Sequence, residues 1–212
     1  MRGPKSIKIA FVAIAMLMLF FGCLLSALYF CSDNFSHSIY TIVQPLANPN
    51  FHKICEGVYA EDELSEAQEK KIVEYFEKMS PRMYLYENDY IIILTNRVLS
   101  SDAPYAEGNF ISGTTNRAEK VITIRYEFLE FALMHEIGHA VDNTGFYTST
   151  QEFQDFYDKA DETSVYDEYY ISDIREYFAY NYSLFTKGQL TDVELYKYFC
   201  KITDTPCFII GG

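Results

Sequence analysis

The spacing of hydrophobic and polar positions changes several times along the chain. From Ile9 to Cys31 run 23 residues without a charge, and a helix rising about 1.5 Å per residue stretches such a run across the roughly 30 Å core of a bilayer. Arg2, Lys5 and Lys8 precede the run and Asp33 follows it. The pattern therefore predicts a membrane anchor over 9–31, with residues 1–8 in the cytoplasm and the remainder outside. A cleaved signal peptide and a lipid attached at Cys23 are the rivals. The length, and the bulky residues continuing to Tyr29 and Phe30, favour an uncleaved anchor. By each route the rest of the chain is exported.

Ser32 to Tyr59 shows no helical period and carries Pro45, Pro49 and several Asn, so 32–59 reads as a stalk or irregular lead-in. A single domain is expected over 60–212. Ser65 with Gln68 makes a capping-box pair, and Ile72, Tyr75 and Phe76 recur at helical spacing before Pro81. Tyr90 to Leu94 reads as a buried strand. Gly108–Gly113 and Lys120–Arg125 are two further strands, joined as a hairpin through Thr114 to Arg117. From Glu127 the period turns helical to about Asn143, with Gly145 as the stop. Ser149 with Glu152, then Ser172, then Thr191 with Glu194 head three more helices. Helix, strands, then helices without internal repeats predict an α+β domain with a small mixed sheet.

Charge narrows the function classes. The chain carries 17 basic and 30 acidic residues, a formal net charge of −13. Such a balance repels phosphate backbones and sets nucleic acid aside as a partner. It also argues against docking on anionic lipid through the domain's own surface. The 19 Tyr and 17 Phe, with no Trp, imply an aromatic-rich core and surface and name no ligand. Past the apolar run lie Cys55, Cys200 and Cys207. Cys200 and Cys207 are close enough in sequence to close a small loop, Cys55 has either as an alternative partner, and free thiols are the third option.

The chemistry concentrates in FALMHEIGHAVDN, Phe131 to Asn143. His135 and His139 stand four apart in a helical stretch, so both imidazoles leave the same face. Two neutral imidazoles are half of a tetrahedral zinc site. Glu136 lies beside them, where it can accept a proton from water at the metal's open position. Two of only four histidines in the chain fall at this spacing around a glutamate, which makes coincidence a poor explanation. Gly138 is costly inside a helix, by about 1 kcal/mol relative to Ala, which predicts a neighbour packed closely against it. A catalytic site needs a third protein ligand. The three-histidine pattern is excluded because Asp142 and Gly145 occupy its Gly and His positions. A downstream carboxylate is therefore required, with Glu152, Glu162, Glu168 and Glu176 as candidates. Glu176 stands out because it opens EYFAYNYSLF on a capped helix in which Ala179 permits close approach to the zinc helix.

HEIGH at His135–His139, followed by SDIREYFAYNYSLF at Ser172–Phe185, resembles the catalytic domain of the anthrax lethal factor-like metallopeptidases, a group that includes the small secreted Pro-Pro endopeptidases. The resemblance covers roughly Ala60 to the C-terminus. It implies a zincin-like fold, one zinc ion on His135, His139 and Glu176, and Glu136 as general base. It further implies that Tyr169 hydrogen-bonds the oxyanion, although Tyr166 and Tyr170 stand nearby. Many members carry a second acidic residue after the Ala of the second motif, where this chain has Tyr180, which leaves Asp142 as a substitute for orienting a histidine. In this architecture the substrate lies extended along an edge strand before the zinc helix, here assigned to Asn109, Phe110, Ile111, Ser112 and Gly113. The resulting expectation is an extracytoplasmic zinc endopeptidase acting on protein or peptide substrates, with a preference near proline implied by the resemblance. The competing expectation is a cell-surface module that keeps zinc for folding and binds a partner without turnover.

Overall fold

Tyr90 to Thr95 have no polar side to offer water, and the molecule accommodates them at the centre of its sheet. The computed structural model describes residues 44–79, 90–100, 110–163, 168–171 and 173–207. The chain divides into two units, Met1–Ala47 and Asn48–Gly212, and the first is described only at the short helix α1 (Gln44–Ala47). The expected anchor at 9–31 lies outside the described residues. Among the described residues no helix is long and apolar enough to cross a membrane.

The second unit is an α+β domain with a small mixed sheet. Strands β1 (His52–Cys55), β2 (Val58–Ala60) and β3 (Ile91–Thr95) come first, followed by β4 (Leu99–Ser100), β5 (Phe110–Ile111), β6 (Gly113–Asn116) and β7 (Val121–Arg125). Five of them form one sheet in the order β1-β2-β3-β7-β6, while β4 and β5 pair separately. The central β2, β3 and β7 run parallel, and the outer β1 and β6 run antiparallel to their neighbours. All five residues of β3 are buried, as a strand covered on both faces requires. Helix α2 (Glu66–Lys78) makes the crossover from β2 to β3 and opens with the expected capping box of Ser65 and Gln68. Its Ile72 is buried, and Tyr75 and Phe76 pack on the core.

Two expectations need correction. The supposed lead-in supplies β1 and β2, so the folded unit starts before Ala60. Three-residue strands carry no readable period, and Val58, Tyr59 and Ala60 become a strand only by pairing with Ile92, Ile93 and Leu94. The hairpin is also displaced. Its first strand is β6, Gly113–Asn116, and its turn is Arg117–Lys120, with Lys120 at φ 52°. Thr114 and Thr115, taken as turn residues, are β-branched and suit a half-exposed edge. The true turn signal is Asn116, whose side-chain oxygen accepts from the N–H groups of Ala118 and Glu119.

Four helices follow: α3 (Leu129–Gly145), α4 (Gln151–Thr163), the single turn α5 (Glu168–Ile171) and α6 (Ile174–Thr186); α7 (Val193–Ile202) completes the described set. A 3₁₀ turn at Tyr126–Phe128 leads into α3. The caps fall one residue later than expected: Thr150 accepts from Phe153 N–H, Asp173 from Arg175, and Asp192 from Glu194 and Leu195. Aromatic rings of α4, α6 and α7 form the core beneath α6, with Phe178 centred 5.0 Å from Phe153 and 5.2 Å from Phe199. The described cysteines are free thiols. Cys207 lies close enough to Cys200 to hydrogen-bond its thiol, and burial, reinforced by that neighbour, pushes Cys200 up to about 11.

Candidate metal centre and cleft

Helix α3 carries His135 and His139 one turn apart, and α6 brings Glu176 to them. The close approach has a visible cause. A Cβ on Gly138 would stand 2.7 Å from the Cα of Ala179 and 3.1 Å from its carbonyl oxygen, so the backbones touch where both side chains are minimal. This is the close neighbour that a mid-helix glycine predicted. Glu176 sits three residues before Ala179 and is delivered by the same contact.

Three ligand atoms converge. His135 Nε2 lies 3.2 Å from His139 Nε2 and 3.1 Å from Glu176 Oε2, and Glu176 Oε1 lies 3.4 Å from His139 Nε2. Ligands about 2.0–2.1 Å from a tetrahedral ion stand roughly 3.3 Å apart, which matches this spacing. His135, His139 and Glu176 can thus hold a metal ion. Two imidazole nitrogens that face each other gain from a cation between them, as does the carboxylate.

The electrostatics of the metal-free protein agree. Burial acts to lower the His139 pKa, but hydrogen bonding to Glu176 and the charges of Glu136, Glu176 and Asp142 outweigh it and raise the net value. Burial acts to raise Glu176, yet hydrogen bonds and charge from His135 and His139 hold it well below the usual carboxylate range. Both shifts favour positive charge beside the Glu176 carboxylate, where a metal ion would sit.

Glu136 is 6% exposed and lines the same cleft, a cavity of about 830 Å³. Two residues of β6 fix it. The Thr115 hydroxyl lies 2.8 Å from Glu136 Oε2 and 2.9 Å from the Glu136 carbonyl oxygen, its one proton shared between them. A Cβ on Gly113 would stand 2.8 Å from Glu136 Cγ, so glycine is what leaves room for this side chain. Sequence reasoning missed Thr115, because nothing local links a threonine in a polar stretch to a helix residue 21 positions later.

The other expected residues divide. Glu152 is an ion-pair partner of Lys201 at 2.8 Å, and is not drawn into the cluster. The side chains of Glu162, Glu168 and Tyr169 lie outside the described set, as do Asn109 and the Phe110 side chain. Tyr170 lies beside the ligands, its ring 6.2 Å from that of His135 and stacked on Tyr180 at 4.0 Å. Tyr180 thus serves as an aromatic wall of the cleft. Asp142 directs both oxygens to Thr148, accepting from its N–H and its hydroxyl at 2.8 Å each. It closes the loop after α3, and those bonds leave it little freedom to orient a histidine. The strand expected to carry substrate, Asn109–Gly113, is not one strand. Phe110 and Ile111 pair with β4, Ser112 accepts from Arg125 N–H, and the sheet's edge runs from Gly113 to Asn116. Ile111, Ser112 and Gly113 nevertheless line the cleft.

Comparison of the sequence with protein-family models and with curated proteins gives no match.

Proposed function

We propose that the protein is a zinc-dependent endopeptidase of the lethal factor-like type, exported and held at the membrane by the uncharged run Ile9–Cys31. One observation carries the reading: ligand atoms of two imidazoles and a carboxylate stand 3.1–3.4 Å apart, with Glu136 lining the same cleft. The donor set of two nitrogens and one carboxylate oxygen suits zinc and leaves a fourth tetrahedral position free. Zinc, when bound, supplies a Lewis acid that polarises a peptide carbonyl and lowers the pKa of water.

The chain's own residues do the rest. Glu136, with Oε2 held by Thr115, accepts a proton from the attacking water and returns it to the leaving amine. A tyrosine hydroxyl, from Tyr169 or Tyr170, donates to the carbonyl oxygen as negative charge develops on it. Strand β6, at the edge of the sheet among the described residues, offers backbone groups with which an extended substrate pairs as an added strand. Phe131, Tyr170 and Tyr180 line the cleft with apolar surface on which substrate side chains pack.

The test uses purified full-length protein. Wild type is expected to bind one zinc and to cleave members of a peptide library, with cleavage lost on chelation. Glu136→Gln is expected to retain the metal and lose cleavage by about a thousandfold or more. Undiminished cleavage by this variant removes the general base. A protein that holds zinc, unfolds on chelation and cleaves no peptide is the non-catalytic module instead.

A further inference from the structure

Charge over the whole chain is strongly negative, whereas charge in the cleft is balanced. The sequence has 17 basic against 30 acidic side chains. Arg117, Arg175 and Lys187 nevertheless line the cleft, together with the carboxylates of Glu136, Asp173 and Glu176. Each carboxylate is engaged: Glu176 with both histidines, Glu136 with Thr115, and Asp173 with the backbone N–H of Arg175. With a divalent ion bound, the lining is net positive.

Outside the cleft some described cations, such as Lys71 and Lys78, stand without a carboxylate among the described residues, but many are paired. Lys53, Arg97, Arg125, Lys197 and Lys201 each hold a neighbouring carboxylate, as an acid-rich surface readily permits. Among the described residues, none of the three cleft cations does so. Arg117 lies with its guanidinium carbon 4.2 Å above the Phe146 ring. Lys187, exposed at the C-terminal end of α6, has its pKa lowered by partial desolvation without an anion to offset the effect.

Their placement follows the helix that supplies the metal ligand. Glu176, Tyr180, Ser183 and Lys187 recur at helical spacing along α6, and all four line the cleft. Lys187 is 11 residues beyond Glu176, about 16 Å along the axis at roughly 1.5 Å per residue. An extended peptide covers that distance in about five residues.

Building on the endopeptidase reading, we propose that the cleft selects an anionic peptide segment, with a carboxylate seated at Lys187 about five residues from the bond cut. Arg117 and Arg175 draw the segment into a cleft whose field opposes that of the surrounding surface. The carboxylate is that of an Asp or Glu side chain or of a substrate's C-terminus, chemically one ligand.

The test measures binding and not turnover. Zinc-loaded full-length protein carrying Glu136→Gln is titrated with fluorescent peptides in which one position at a time is Glu or Gln, each with a free or an amidated C-terminus. At low salt, Glu at one position, or the free terminus, is expected to bind about fivefold more tightly than its neutral counterpart. The ratio is expected to fall towards one near about 0.5 M salt and in Lys187→Gln, with zinc content unchanged as the check on folding. A preference carried by the free terminus assigns the carboxylate to a chain end; one carried by an internal Glu assigns it to a side chain. Equal binding of every charged and neutral pair overturns the proposal. So does a preference that survives the triple change Arg117→Gln, Arg175→Gln and Lys187→Gln. A wild-type protein that binds acidic peptides but cuts none removes the endopeptidase reading and leaves the anionic site standing.

Discussion

Helices α2 and α3 are held by opposite means. α2 has a capping box at Ser65 and Gln68, acidic residues in its first turn, Lys78 in its last, and one fully buried residue, Ile72. Its ends are satisfied by its own neighbours in sequence. α3 has no side-chain cap at its start, no basic residue in its last turn, a glycine in its middle and Phe146 left-handed at its end. It buries ten residues, among them Glu136 and Asp142. What α3 lacks locally it receives from the sheet, from α6 and from Thr148. The helix that carries the candidate chemistry is thus the one that depends most on tertiary contacts. That dependence is reasonable, since a site assembled from three segments needs each fixed relative to the others.

The sharpest way to break this contrast is to remove what α6 contributes. Glu176→Ala is expected to weaken metal binding more than about a hundredfold, a larger loss than that of an outer-sphere partner, with cleavage falling in step. Unchanged metal content, measured on purified protein, would reject Glu176 as a ligand. Next in size is Gly138→Ala. Helix propensity alone favours alanine by about 1 kcal/mol. Here the new methyl would meet the Ala179 backbone at 2.7 Å. The net expected result is a loss of about 2 kcal/mol in denaturant melts, accompanied by weaker metal binding as Glu176 is displaced. A stabilised variant would show that the two backbones do not touch.

The third test varies pH. His139 is raised above its ordinary 6.5, so in the metal-free protein its contribution is complete below that value and is lost as pH rises through the folded pKa. Glu176 is depressed from 4.5, so its contribution is present above 4.5 and is lost only as pH falls through the depressed value. Zinc bound through the His139 nitrogen would displace its proton. The stability gained on adding zinc, measured in denaturant melts, should therefore widen from about pH 6 to about pH 8, by up to about 1.4 kcal/mol for each pH unit over which that proton is displaced. A gain that does not vary with pH would mean that the ion binds elsewhere. The smallest effect belongs to α2: Ser65→Ala should cost about 1 kcal/mol and leave metal affinity untouched. A loss of metal in this variant would couple the two helices and erase the distinction between them.

The sequence by itself determined what one helical turn can encode. His135, Glu136 and His139 share a face because the period of the helix requires it, and Gly138 announced a close neighbour because glycine is otherwise a poor choice there. Tyr90–Leu94 was legible for the same reason, as an apolar run with no exposed side. Glu176 stood out in the sequence as the head of a capped helix and by resemblance, but only the tertiary structure brings it to the histidines, because a ligand 41 positions from His135 is placed by how two helices dock. It likewise put Thr115 and Gly113 on Glu136, turned Asp142 towards Thr148, moved the sheet's edge to Gly113–Asn116 and made strands of His52–Cys55 and Val58–Ala60. Local patterns record the period and capping of a single element. Which elements meet is decided by the burial and hydrogen bonding of all of them together, and no short window of sequence contains that sum.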